Sequence, residues 1–112
     1  MLTSGDVVEA DLGKPVGREA GFPRPFVVVT AQVVLAQGPA VIHVVPLTST
    51  RRGFRSEVDV EPDDVNGLEV SSAAQCQHVR AVSTGRLNEP RGNVGPATLL
   101  QIRETIAELL DV

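Results

Sequence analysis

The chain has no tryptophan, no tyrosine, three phenylalanines, one lysine and one cysteine in 112 residues. Each scarcity excludes something. The lone Cys76 cannot form an intrachain disulfide, and one thiol with scattered histidines gives no zinc-ligand spacing. No apolar run approaches the ~20 residues of a membrane-spanning helix, and the start MLTSGDVVEADLGK lacks the basic stretch and sustained apolar region of a secretory leader. A reducing cytoplasm and no membrane are the expectation. Any ligand that stacks must rely on Phe22, Phe26, Phe54 and arginine planes. Without repeats or low-complexity tracts, and with 42% hydrophobic and 21% charged residues, the chain reads as one globular domain over 1–112, large enough for a core without staples.

What is present is charge set out in blocks. The net charge of −4 argues against a nucleic-acid partner only until it is resolved along the chain. Residues 1–13 carry −3 and residues 14–55 carry +5, through Lys14, Arg18, Arg24, Arg51, Arg52 and Arg55 against Glu19. Residues 56–69 carry −6, and the remainder balances. Nine of the ten basic residues are arginine, whose planar fork matches phosphate bidentately. A GC-rich genome produces the same bias, so both explanations stand.

The stretch FPRPFVVVT, residues 22–30, organises the rest. Pro23 and Pro25 fix φ near −65° and hold Arg24 on a stiff, non-helical approach, while Val27, Val28 and Val29 suit a strand buried on both faces. Arg24 at a strand mouth is either a ligand for an anion or one half of a rim salt bridge. Upstream, Asp6 to Leu12 alternates as a half-buried strand with Val8, Ala10 and Leu12 on one face. Residues 31–37 read as a short helix or an irregular crossing ended by Gly38-Pro39. Residues 40–48, AVIHVVPLT, form a third strand, with His43 expected in the core and Pro46 expected at an edge or bulge.

Thr48, Ser49 and Thr50 then lead into Arg51, Arg52, Gly53, Phe54 and Arg55. Hydroxyls and guanidiniums leaving a buried strand together can bond phosphate oxygens, with Phe54 offering a face to a base; an ordinary polar turn is the alternative. Residues 56–60 alternate as a short strand, 61–66 form an acidic loop without calcium-loop spacing, 68–74 and 77–82 read as a strand or strand pair, and 83–95 as turns. Pro96 to Leu110 is a helix: Leu99, Ile102, Ile106 and Leu109 form an apolar stripe that Leu110 widens, and Pro96 after Gly95 suits its first turn. Short strands closing into a small barrel under one terminal helix fit better than a parallel sheet, because helical crossovers are missing.

GDVVEADL, GREAGFPRPFVVVT, AVIHVVPLTST and QCQHVRAV, in that order and followed by a helical tail, resemble the MazF/PemK (Kid) family of toxin endoribonucleases. The resemblance covers the chain nearly end to end. It implies a mainly β, SH3-like barrel with a C-terminal helix, a homodimer, cleavage of single-stranded RNA (messenger, transfer or ribosomal) without metal or cofactor, and a cognate antitoxin. By position, Arg24 matches the family's Arg-Pro arginine, Thr48 the hydroxyl of its Pro-x-Thr motif, Glu19 an acid used in some members, and Arg80 the arginine beyond the Cys-acid-Gln core. Here that core reads Cys76-Gln77-His78, so an acid has become Gln77 and a glutamine His78.

The implied chemistry needs no metal, since the RNA 2′-hydroxyl is a nucleophile already adjacent to phosphorus. Arg24 would clamp the phosphorane oxygens and Thr48 would add a donor. Arginine is a poor base, so His78, ahead of Glu19, is the expected proton acceptor. Ser49, Arg51, Arg52, Phe54, Gln77 and Arg80 are the expected RNA-binding residues. Two other readings share this architecture: a CcdB-like gyrase poison, whose tryptophan-bearing tail is missing here, and a catalytically silent RNA- or peptide-binding barrel.

Overall fold

Runs of β-branched residues broken by proline, glycine and short polar loops give strands rather than helices along most of the chain. The computed structural model describes residues 1–13 and 23–112. Among them, seven strands form one antiparallel sheet: β1 (Asp6–Ala10), β2 (Arg24–Val28), β3 (Val41–Thr48), β4 (Glu57–Val60), β5 (Ser72–Gln75), β6 (Arg80–Ser83) and β7 (Gly92–Asn93). A short helix α1 (Gln32–Leu35) follows β2, and α2 (Pro96–Leu110) closes the described chain. The sheet order is β4-β5-β3-β2-β1-β7, with β6 also on β3. It curls into the mainly β half-barrel with a C-terminal helix that the sequence implied.

β3 is the spine. One edge pairs with β2; the other pairs with β6 along its first half and β5 along its second. The register slips by three residues between those partners, Val44 facing Arg80 but Leu47 facing Ala74, and the 3-10 turn Cys76–His78 takes up the slack. Val29 N–H donates to His43 O at 3.0 Å, so by alternation the backbone groups of residues 45 and 47 also face β2 and those of Pro46 face away. Pro46 therefore lacks its donor where the neighbouring strand is interrupted, and neither an edge strand nor a bulge in β3 is needed.

The curled sheet has two apolar faces. Val7, Val27, Val45, Leu47, Leu99 and Ile102 belong to one cluster, covered by α2; Val8, Phe26, Val28, Ile42, Val44 and Leu35 belong to the other. Val7 and Val8 are both fully buried, so β1 is covered on both faces rather than the half-buried strand that its alternation suggested. Gly67 and Gly92 permit a backbone crossing: a Cβ at Gly67 would lie 2.2 Å from Arg91 O, and at Gly92 2.4 Å from Val65 O.

Other expectations change as well. His43 is exposed, not core, because the cover from α2 ends before the start of β3, where Val41 is 54% exposed as well. Leu109 and Leu110 are exposed, so the α2 stripe outruns the core beneath it. Residues 68–71 precede β5 instead of belonging to it, and the turn region 83–95 contains the two-residue β7.

Truncating Ile102, fully buried on α2, to alanine removes a side chain from a close-packed site and lowers unfolding free energy by about 3 kcal/mol, read from urea denaturation. A second prediction concerns pH. Burial pushes the Cys76 thiol from 9.0 up to about 11, the Glu57 carboxylate adds to the rise and a backbone hydrogen bond opposes it. The folded state therefore holds the proton more tightly than the unfolded chain. Its contribution is complete below pH 9 and disappears as pH climbs towards 11. With no tyrosine and one lysine, few other groups titrate in that window. Stability should fall more steeply from pH 8 to 10.5 in the wild type than in Cys76→Ala.

Candidate active site

The site begins with the β2–β3 ladder. Phe26 faces Pro46, Val27 faces Val45 and Val28 faces Val44. Continuing that register by two residues sets Arg24, first in β2, opposite Thr48, last in β3. Because 29 and 43 form a hydrogen-bonded pair, 24 and 48 fall at a non-hydrogen-bonded position, where Cα atoms approach to about 4.5 Å and side chains stand closest. By alternation both residues lie on the sheet face of Phe26 and Val44. Both residues are half-buried.

Their row continues across the sheet. Ala10 pairs with Arg24 on one side, and Thr48 pairs with Ala73, which pairs with Asp59. Alanines flanking the two polar side chains leave space above them. Thr48 Oγ1 accepts the Thr50 N–H at 3.1 Å, the local turn that hydroxyl residues favour. That bond uses a lone pair, so the hydroxyl still has its proton to donate.

Beyond Thr48 the arginine loop folds onto β4. Arg51 pairs with Glu61 at 2.6 Å and lies 3.9 Å from Asp59, Arg52 pairs with Glu57 at 3.2 Å, and Arg55 pairs with Glu108. Arg51 and Arg52 of the basic block thus meet carboxylates of the acidic block, and Arg55 meets one on α2. Phe54 remains 51% exposed, with the Arg52 guanidinium 5.0 Å from its ring centroid, so one of its faces is already occupied. Ser49 is exposed beside Thr48.

The Cys76–His78 turn fills the break beside Pro46. Gln77 Nε2 donates to Glu57 Oε2 at 2.7 Å, and His78 is half-buried at the end of the turn. Cys76 is buried in the core, where its raised pKa suits a packing residue and not a nucleophile. Arg80 is exposed and faces Val44, four residues from Thr48 along β3, or about 13 Å. It stands apart from the Arg24–Thr48 pair. Glu19 and Phe22 lie outside the described residues. Among the described residues, no group of three or more His, Cys, Asp or Glu side chains could hold a metal ion, and no helix is long and apolar enough to cross a membrane.

Sequence reasoning missed Glu57 and Gln75. They face each other across β4–β5 on the Arg24–Thr48 face, Gln75 diagonal to Thr48 at about 7–8 Å. Polar residues in an alternating strand read as solvent-facing, and nothing in the sequence signals that the preceding arginine loop and the Cys76–His78 turn close over Glu57. A guanidinium and a hydroxyl donor at one strand mouth can grip a tetrahedral anion.

Comparison with known proteins agrees with this fold. The family model for the PemK-like, MazF-like toxin of type II toxin-antitoxin systems matches residues 3–110. Endoribonuclease MazF9 of Mycobacterium tuberculosis is 34% identical over 116 residues, spanning 100% of this chain and 98% of that protein. Among solved structures, the M. tuberculosis toxin MazF-mt6 superposes with a TM-score of 0.77 at 26% identity, covering 96% of this chain and 97% of that one. MazF of Deinococcus radiodurans shares the fold at a TM-score of 0.80 and 22% identity, over 97% of this chain and 96% of its own. The chain belongs to the PemK-like, MazF-like family of type II toxins.

Proposed function

We propose that this toxin is an endoribonuclease that cuts single-stranded RNA, using the RNA's own 2′-hydroxyl as nucleophile and no metal. The juxtaposition of Arg24 and Thr48 carries the reading, supported by the endoribonuclease name of the relative 34% identical over the whole chain. The 2′-oxygen attacks phosphorus, the P–O5′ bond breaks, and the products are a 2′,3′-cyclic phosphate and a 5′-hydroxyl. Arg24 stabilises the non-bridging oxygens with its positive charge, and Thr48 donates to the same phosphate. His78 takes the 2′-proton, with Glu19 as the alternative base. Ser49, Arg51, Arg52, Phe54, Gln77 and Arg80 hold the flanking nucleotides. The work falls to a single domain in the cytoplasm.

A cognate antitoxin fits the same surface. A solved relative, 23% identical, is an endoribonuclease in complex with its cognate antitoxin. In this chain, an acidic peptide segment would substitute its carboxylates for Glu61 and Glu108 on Arg51 and Arg55, blocking RNA by competition. The second partner is another copy of the chain. An apolar groove of about 470 Å³ is lined by Val29, Val34, His43, Val79, Ile106 and Leu110 among others, and of these Val34 and Leu110 are exposed. A continuous exposed apolar surface of this kind marks an interface, and a homodimer would cover the part of the α2 stripe that the core leaves bare.

Arg24→Ala should reduce cleavage of a long unstructured RNA by about 10²–10³-fold, with wild-type activity unchanged by excess chelator and cyclic phosphate at the cut ends. Firm binding with intact RNA would establish the silent module instead. Leu110→Asp should shift the protein from dimer to monomer in analytical ultracentrifugation at micromolar concentration. A wild type that sediments as a monomer would remove the dimer from the account.

A further inference from the structure

Glu57 is the first residue of a four-residue strand, yet its side chain is only 2% exposed. A carboxylate is seldom buried unless paired. Its Oε2 accepts from Arg52 Nη2 at 3.2 Å and from Gln77 Nε2 at 2.7 Å. Those donors come from different segments, the loop after Thr48 and the turn that interrupts the edge of β3. Arg52 in turn stacks on Phe54. A single carboxylate thus joins three of the side chains assigned to RNA.

The other oxygen is unusual. Glu57 Oε1 is buried with no hydrogen-bond partner among the described residues, and so is Oε1 of Gln75, the residue that faces Glu57 across the ladder. Two acceptors set close together without a donor work against folding. A glutamine at 57 would resolve the conflict: its amide keeps an acceptor for Arg52 and Gln77, and its NH₂ donates to Gln75. What glutamine does not supply is the negative charge that fixes Arg52.

We propose that Glu57 is a positioning residue for RNA recognition, which locks Arg52 over Phe54 and Gln77 beside it so that the open face of Phe54 receives a nucleobase next to the cut phosphate. This rests on the RNA-cleaving reading above and adds the device that sets its base-binding surface. With neither tryptophan nor tyrosine available, one half-exposed phenylalanine binds a base well only if its orientation is fixed beforehand, since ordering it on binding would subtract from affinity.

The test uses a single-stranded RNA oligonucleotide with 2′-O-methyl groups, which has no nucleophile, so binding is measured apart from cleavage. Anisotropy titrations compare wild type, Glu57→Gln, Arg52→Ala and the double variant. Each single change should weaken binding about 10-fold, as loss of a charge-assisted contact does, and the double variant no further, because Glu57 acts through Arg52. On unmodified RNA, Glu57→Gln should raise KM about 10-fold while kcat moves less than threefold. Its Tm should be no lower than that of the wild type. A fall in Tm with unchanged Kd would make Glu57 structural and overturn the proposal, as would additive losses in the double variant or a fall in kcat at constant KM. A wild type that binds the probe but cuts no RNA would defeat the nuclease reading alone, leaving the Kd series to decide on Glu57; a wild type that neither binds the probe nor cuts unmodified RNA would defeat both, and one that cuts RNA without binding the probe would overturn the Glu57 proposal alone.

Discussion

The pairing register of β2 on β3 is the constraint on which everything functional depends. Side chains alternate faces along a strand, so a slip of one residue would send Arg24 and Thr48 to opposite sides of the sheet. The register is held by apolar residues on both faces: Val27 and Val45 belong to the cluster under α2, Phe26 and Val44 to the other, and all four are fully buried. A slipped ladder would bury neither set. Core packing, remote from any ligand, thereby places a guanidinium and a hydroxyl at adjacent strand ends.

α2 belongs to the same device. Arg103 on this helix donates to Val29 O from Nε at 3.2 Å and from Nη2 at 3.1 Å, and to Thr30 O at 3.2 Å. Those carbonyls lie just past the end of β2, where His43 N–H turns to Thr30 Oγ1 at 2.8 Å. The helix therefore satisfies backbone groups that the ladder leaves over and anchors the end of β2 opposite to Arg24. Leu99 and Ile102 pack in the cluster of Val27 and Val45, and Arg103 fixes the far end of the strand that presents the site.

Part of this was legible in the sequence, and the reasons are local. The bounds of α2 follow from Gly95 at φ 86°, Pro96 in the first turn and a sustained apolar period. The Arg24–Thr48 pairing was within reach because prolines and β-branched runs delimit β2 and β3. The break between β5 and β6 was legible only as one of two readings, a strand or a strand pair, since residues 72–83 contain no glycine or proline to mark it and its cause is the register of a third strand. The exposure of His43 was hidden for a similar reason: an apolar run does not say where a helix fifty residues later stops covering it. Glu57 looks like any outward strand residue until the arginine loop is laid over it.

The same folding-over changes how a protein of net charge −4 can attract an anion. Were the +5 block of residues 14–55 displayed as one patch, long-range steering would draw in RNA. Instead Arg51, Arg52 and Arg55 each meet a carboxylate from Glu57, Glu61 or Glu108, and beyond a Debye length of about 8 Å these pairs offer little field. Recognition must then work at contact range, where a phosphate competes for guanidiniums already held in place by their partners. Such a surface sacrifices encounter rate but has its donors aimed before the ligand arrives, and it favours a ligand that meets several of them at once over a diffuse polyanion. Positioning, more than charge, is what this fold supplies to the Arg24–Thr48 centre.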